Sequence, residues 1–324
     1  MKAGVIGLGY MGKNHARVYR ELGLDVIGFD SDPNAYKDKD IPFVERAHHI
    51  PDLLARANLV SVCVPTTGHR HAAVEAIERA GAPLLIEKPV AESVYSAQKI
   101  RAAAQKHGTP VAVGFGERYN PSIKELVSRI GKEEQIHRMD FQRLNPYPPR
   151  IKDVGVIVDM SVHDIDLCGF ISGEKPWKVF AHTRSKELPT KKFEDTATIN
   201  LIYDDFDAAV HSDWLTPTRI RKATVHTSRA YYTADLLDGG RVEEYDRYAP
   251  KNGATADTNT TSMKIHTPRR SEALKSELSA FIEFAKTGQS GQLATLDQGI
   301  DVLQIAEAAT RSAAKGEPIR INWE

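Results

Sequence analysis

The stretch V-I-G-L-G-Y-M-G-K-N-H, residues 5–15, decides how the front of this chain is read. It continues a short apolar run (Ala3, Val5, Ile6), sets glycines at Gly7, Gly9 and Gly12, and passes straight into a helix-compatible segment from Lys13 to Leu22. In a strand-turn-helix of this kind the first glycine permits a tight bend and the second lets the backbone approach a pyrophosphate. The third lets the helix pack close to the strand, with phosphate charge facing the helix N-terminus. Glycine-rich turns also occur for packing alone, so the pattern takes its meaning from its context. Leu24 to Phe29 reads as a second strand, and Asp30 at its end stands 18 residues beyond Gly12, placed to accept hydrogen bonds from adenosine ribose hydroxyls. Together strand, turn, helix and acid imply dinucleotide binding. Asp30 would repel a 2′-phosphate, and Ser31-Asp32-Pro33 brings no cation to neutralise one, so NAD is expected over NADP.

Working outward, 324 residues exceed what one core usually organises, which predicts two domains. Lysine plus arginine (43) equals aspartate plus glutamate (43), so no large field draws the chain toward nucleic acid or a membrane surface. No apolar run approaches the ~20 residues of a membrane helix, and the N-terminus enters a strand instead of a cleavable leader. The expectation is a soluble, cytoplasmic protein. Its two cysteines, Cys63 and Cys168, are too few for a disulfide framework and sit in apolar surroundings typical of inert core thiols.

After a polar stretch to Asp40 and a short run Ile41 to Val44, a helix candidate spans about Asp52 to Ala57. Leu59 to Val64, Pro83 to Ile86 and Pro110 to Val113 are almost continuously apolar, as suits parallel strands covered on both faces. Between them His69 to Arg79 and Ser93 to His107 read as helices, the second stopped by Gly108. This is the grammar of an α/β Rossmann domain, a doubly wound parallel sheet, over residues 1–118. From 119 to 324 the pattern changes to helices and alternating strands of an antiparallel sheet, which the family resemblance given below makes an α+β domain with a large, mostly antiparallel open sheet for substrate binding and oligomerisation. A helix from Pro121 to Ile130 leads to alternating segments at Thr196 to Tyr203, Asp207 to Trp214, Arg221 to Thr227 and Ala230 to Leu236. Ala208, Val210, Ser212 and Trp214 share one face there, and Asp159 to Ile171 is a helix able to cover it. Pro250 to Pro268 reads as a long loop, and Ser271 to Lys286 and Asp297 to Lys315 as closing helices. The other face of the sheet, carrying Ala209, Ile202 and Tyr232, lacks helices to cover it, so two-fold pairing into a homodimer, or a homotetramer by doubling, is expected.

In a doubly wound sheet ligands collect at the carboxyl ends of the strands. The expected cofactor contacts are therefore Gly7, Gly9, Tyr10, Met11, Gly12 and Asp30, with Pro65, Thr66, His69, Glu87 and Lys88 after later strands. Lys88, directly after a strand and before a proline, is the pointed one, against the plain reading of a surface lysine. A second constellation is D-M-S-V-H-D-I-D, residues 159–166, in which Asp159, His163 and Asp166 can share one helical stripe. It reads as a carboxylate-oriented histidine base, as a metal-ligating stripe, or as a hydrogen-bonded helix face. The first is preferred and no metal is expected, because a nicotinamide accepts hydride and leaves only a proton to move.

The chain resembles the glucose-fructose oxidoreductase/inositol dehydrogenase (Gfo/Idh/MocA) family from end to end. The resemblance is carried by G-L-G-Y-M-G-K-N-H (7–15), V-P-T-T-G-H (64–69), E-K-P (87–89), G-F-G-E-R-Y-N-P (114–121) and D-M-S-V-H-D-I-D (159–166). It implies oxidation or reduction of a sugar or cyclitol carbon, with Lys88, Asp159 and His163 as catalytic residues and a cis Lys88-Pro89 bond. The run R-L-N-P-Y-P-P-R-I-K-D-V-G-V-I-V-D, residues 143–159, is similar to that of UDP-N-acetylglucosamine 3-dehydrogenases. By that likeness Arg143, Arg150 and Lys152 would suit a diphosphate, against the reading of a solvated basic loop. Arg118 and Asn120 complete the expected substrate contacts beside Lys88, Asp159 and His163. The expected activity is an NAD-dependent sugar dehydrogenase for a nucleotide sugar such as UDP-N-acetylglucosamine at C3. Its rivals are a dehydrogenase or reductase of a free sugar or inositol, and a cofactor-binding sensor without turnover.

Overall fold

The structure, a computed structural model, describes residues 1–37, 39, 41–148, 154–186, 193–237, 240–246 and 262–323. Its internal contacts divide the chain into two units, Met1–Gly116 with Glu272–Gln304, and Glu117–Ser271 with Ile305–Glu324.

The first unit opens with β1 (Lys2–Ile6), α1 (Tyr10–Glu21), β2 (Asp25–Phe29), β3 (Glu45–Arg46) and α2 (Ile50–Leu54). It continues with β4 (Leu59–Val62), α3 (His69–Ala80), β5 (Leu84–Glu87), α4 (Val94–His107) and β6 (Val111–Gly114). The strands run parallel in the order β6-β5-β4-β1-β2-β3, so the winding reverses between β1 and β4. That reversal is where a crevice opens above the strand ends. Every residue of β4, β5 and β6 is buried, which is why their apolar runs are unbroken. Local stops follow chemistry: the Ser93 hydroxyl accepts from Ser96 N at the start of α4, and Gly81 and Gly108 take left-handed conformations after α3 and α4.

The second unit begins with α5 (Pro121–Arg129), β7 (Ile136–Pro146), a π-helical turn (Ile157–Ser161) and α6 (Val162–Ser172). Then come β8 (Lys178–Arg184), β9 (Thr196–Ile202), β10 (Asp207–Asp213), β11 (Leu215–Thr227), β12 (Ala230–Asp235), β13 (Val242–Asp246) and β14 (Met263–His266). The chain next forms α7 (Ala273–Thr287), β15 (Ala294–Thr295), α8 (Leu296–Lys315) and β16 (Ile319–Arg320). The second sheet has the order β14-β13-β12-β11-β7-β10-β9-β8-β16, antiparallel throughout except where β7 meets β10.

Several expectations are corrected by this architecture. Residues 272–304, grouped by sequence with the second domain, lie in the first unit, because α7 packs on α1 and β15 pairs antiparallel with β6. β7 was illegible as a strand because Arg143 breaks its apolar side, pointing inward with Met139 and Phe141 although charged. Within the expected loop from Pro250 to Pro268, residues 250–261 lie outside the described ones, while Met263–His266 is a strand on β13. Tyr232 does not belong to the outward face: it is wholly buried, its hydroxyl donating to the Arg129 carbonyl of α5 at 3.0 Å. Ala208, Val210, Ser212 and Trp214 do share the buried side of their sheet. No helix among the described residues is long and apolar enough to cross a membrane.

Candidate functional site

At the crevice of the first unit the glycine turn is built as its spacing requires. Gly7 has φ +89°, and a Cβ there would stand 2.7 Å from Val64 N; a Cβ on Gly12 would overlap the Gly7 carbonyl oxygen. A Cβ on Gly9 would meet nothing within 4 Å, so no protein contact accounts for that glycine, whereas a ligand approaching the backbone does. Gly9 also supplies no side-chain cap to α1, whose first turn holds no acid, leaving the amide end of the helix to an anion. The residues present thus fit a dinucleotide. Tyr10 is exposed, Met11 half-buried, and Pro65 and Thr66 lie on an open turn after β4. The Asp30 carboxylate accepts from Leu8 N at 2.6 Å and from Asp32 N at 2.8 Å, bracing the glycine loop while keeping its charge at the end of β2.

Lys88 follows β5, is half-buried, and its bond to Pro89 is cis. Two neighbours expected to touch the cofactor are buried and hydrogen-bonded within the scaffold. His69 is buried with Nδ1 2.9 Å from the Pro89 carbonyl and Nε2 2.9 Å from the Val64 carbonyl; burial pushes its pKa down against the pull of those oxygens. Glu87 is buried with Oε1 2.9 Å from His15 Nε2 and Oε2 accepting from Lys88 N at 3.3 Å. Burial alone would raise this carboxyl, but the His15 hydrogen bond and the nearby Lys88 ammonium help bring it below its usual value. Cys63 and Cys168 are free, buried thiols pushed up by burial.

In the second unit the D-M-S-V-H-D-I-D run is not a plain α-helix. Ile157–Ser161 forms a π turn, a widening of the helix often found at functional sites, and α6 follows. Its start is held by Glu194, whose carbonyl accepts from Val156 N at 3.0 Å and whose Oε1 accepts from Ile157 N at 3.1 Å. Asp159 and His163 are half-buried on this segment. The other two acids are committed elsewhere. Asp166 takes a two-pronged bond from Arg118 (Nε 2.8 Å, Nη2 2.6 Å), and Asp164 takes one from Arg143 (Nε 3.0 Å, Nη2 2.8 Å). Burial pushes both carboxyls up against the pull of their guanidinium partners.

These pairs give the expected substrate contacts partners within the chain. Arg143 is 2 % exposed and its remaining amine bonds Glu117 Oε1 at 2.8 Å, so its fork faces carboxylates of its own chain and not a diphosphate. Arg118 is 4 % exposed and bound to Asp166. Asn120 caps α5 by accepting from Ser122 N and donates to Glu117 Oε2 and the Leu236 carbonyl. Arg150 and Lys152 lie outside the described residues. Asp166 of the Asp159, His163 and Asp166 stripe is engaged by Arg118, and among the described residues no group of three or more His, Cys, Asp or Glu is placed to hold a metal ion. His15, Ser61, Glu117 and Glu194 were not singled out from sequence; the one available signal was a histidine on the apolar face of α1, a turn before Tyr19.

The fold and turn define a dinucleotide-binding protein, and comparison with known proteins makes it an oxidoreductase. Residues 1–115 match the model described as "Oxidoreductase family, NAD-binding Rossmann fold", and residues 137–321 match that family's "C-terminal alpha/beta domain". The chain belongs to the Gfo/Idh/MocA oxidoreductase family, and NAD is its cofactor. It is 33% identical over 184 residues to UDP-N-acetylglucosamine 3-dehydrogenase of Acidithiobacillus ferrooxidans, covering 56% of this chain and 57% of that protein. It is 28% identical over 349 residues to inositol 2-dehydrogenase 2 of Saccharopolyspora erythraea, covering 99% of this chain and 96% of that one. The solved structure of the Acidithiobacillus ferrooxidans UDP-N-acetylglucosamine 3-dehydrogenase GnnA shares the fold with a TM-score of 0.86 at 24% identity, over 97% of this chain and 98% of that one.

Two outcomes follow from this geometry. Arg143→Met leaves Asp164 buried without its cation and Glu117 with Arg221 alone, so it lowers stability by about 3–5 kcal/mol in urea denaturation; a substrate ligand would instead raise KM with stability unchanged. Asp30→Ala narrows the preference for NAD over NADP by ~10-fold or more in paired titrations, and equal binding of both cofactors by the native protein would defeat the role given to Asp30.

Proposed function

We propose that this protein is an NAD-dependent dehydrogenase of a ring hydroxyl on a nucleotide-activated sugar, with C3 of UDP-N-acetylglucosamine the leading substrate. The observation that carries a proton-moving site is the sorting of the run at 159–166. Asp164 and Asp166 are locked on buried arginines, while Asp159 and His163 remain half-exposed where the helix widens. NAD, when bound, accepts a hydride from the substrate carbon. His163 accepts the hydroxyl proton as a neutral imidazole, and Asp159 orients that ring or a neighbouring substrate hydroxyl. Lys88 donates a hydrogen bond to the reacting oxygen and stabilises the negative charge that develops there. The likeness to UDP-N-acetylglucosamine 3-dehydrogenase over 184 residues supports the nucleotide sugar.

A specific observation favours a second reading, oxidation of a free sugar or inositol. Arg143, the cation best suited to a diphosphate, is closed off by Asp164 and Glu117, and the likeness to inositol 2-dehydrogenase 2 extends over 99% of the chain. The two substrates separate the readings directly in an assay of NADH formation.

The second unit also supports assembly with a second copy. Phe180 on β8 and Met263 and Ile265 on β14 stand 37, 50 and 51 % exposed, at outward positions of a sheet whose other side is buried. Two-fold pairing of that face would remove this apolar surface from water.

Lys88→Ala and His163→Ala each lower kcat by ~10²-fold or more with NAD affinity held within a few-fold, as loss of an acid-base group does; a His163→Ala variant with near-normal turnover would reassign the base. EDTA leaves the rate unchanged, whereas loss restored by a divalent ion would reopen metal chemistry. Light scattering at micromolar concentration reads twice the mass of one chain or a multiple of it, and a stable single-chain mass would show the outward face to be solvated.

A further inference from the structure

Beneath the Lys88 turn lies a run of buried polar groups that binding and catalysis, as described above, do not use. Tyr19 OH is 2.7 Å from Ser61 Oγ, which is 3.0 Å from His15 Nδ1. His15 Nε2 is 2.9 Å from Glu87 Oε1, and Glu87 Oε2 accepts from Lys88 N. Tyr19, Ser61 and His15 are wholly buried and Glu87 is 8 % exposed, within a sheet otherwise filled by Val, Ile, Leu and Ala. Burying such groups is costly, and apolar residues of similar volume usually replace a buried ion pair without loss of stability. Packing alone does not account for them.

Their protons fit one arrangement. With Glu87 ionised, its two oxygens take the His15 Nε2 proton and the Lys88 amide proton. His15 Nδ1 is then an acceptor for the Ser61 hydroxyl, whose oxygen accepts from Tyr19. Every donor meets an acceptor, so the imidazole tautomer, the carboxylate rotamer and the backbone at the end of β5 are fixed together. His15 and Tyr19 stand one turn apart on α1, the helix that follows the glycine turn and whose amide end would meet the cofactor phosphates. The network ties that helix to the residue bearing the ammonium.

We propose that His15 and Glu87 are positioning residues for Lys88, holding its backbone, and hence its ammonium, in fixed register with the cofactor-binding helix. This rests on the reading of Lys88 as the group that stabilises the reacting oxygen. Glu87→Gln keeps the shape of the side chain but removes the charge and one acceptor oxygen, so the Gln amide either faces the Lys88 amide or abandons His15. His15→Gln retains a donor toward Glu87, and His15→Ala does not.

The test uses the full chain with these variants and Lys88→Ala. It reads NADH formation from UDP-N-acetylglucosamine and from myo-inositol, NAD binding by protein fluorescence, and the rate at which acetic anhydride labels Lys88, by peptide mass spectrometry. Glu87→Gln and His15→Ala should lower kcat ~10- to 100-fold while both KM values stay within a few-fold, since a small misplacement of a reacting group costs this much. Lys88 labelling should change several-fold with Lys13 labelling unchanged, and His15→Gln should recover part of both losses. A folded, NAD-binding Glu87→Gln protein with native Lys88 labelling and native kcat would overturn the proposal. If Lys88→Ala turns over normally, the assignment of Lys88 fails, and the labelling rate alone then decides whether Glu87 positions it.

Discussion

The contact on which most of this structure depends is the one between Gly12 and the Gly7 carbonyl, where no Cβ fits. It lets α1 lie directly against the end of β1, so the free amides of its first turn open onto the crevice where the strand order reverses. The same closeness drives His15, Ala16 and Tyr19 into the sheet, and through His15 it reaches Glu87 at the end of β5. The glycine turn and the Lys88 turn are therefore set by one helix, with Asp30 bracing the loop from the side of β2.

The second unit solves a different problem, that of burying charge beneath a large sheet. Arg143 and Arg118 enter the interior because Asp164 and Asp166 meet them with two-pronged geometry, and Glu117 takes a further single bond from Arg143. These pairs hold α6 by two of its acids, which leaves the preceding π turn, pinned by Glu194, to present Asp159 and His163. The acids of one short run thus divide into those that anchor and those that remain half-exposed.

Where the sequence signal was local and periodic, the fold was legible. The unbroken apolar runs of β4 to β6, the glycine turn and the alternation in β9 to β12 correspond to elements of the structure. β7, β8 and β13 were not read, because charges at inward or edge positions hide a period of two, and no sequence pattern marks Arg143 as the partner of Asp164. The return of residues 272–304 to the first unit is likewise a long-range contact that local pattern does not encode. At the site, types of residue were legible and their partners were not. Glycines and Asp30 announce themselves by spacing, whereas the internal partners of His69 and Glu87, the Pro89 and Val64 carbonyls, His15 and the Lys88 amide, have no sequence signal.

Hydride transfer from a nucleotide-sugar carbon is the central claim, and isotope tracing tests it without reliance on any variant. UDP-N-acetylglucosamine carrying deuterium at C3 is incubated with the protein and NAD, and the reduced cofactor is analysed by mass spectrometry. The account predicts NADH about one mass unit heavier than the unlabelled form, the deuterium having passed directly from carbon to cofactor. Unlabelled NADH, or none from the nucleotide sugar alongside ready formation from myo-inositol, would contradict it.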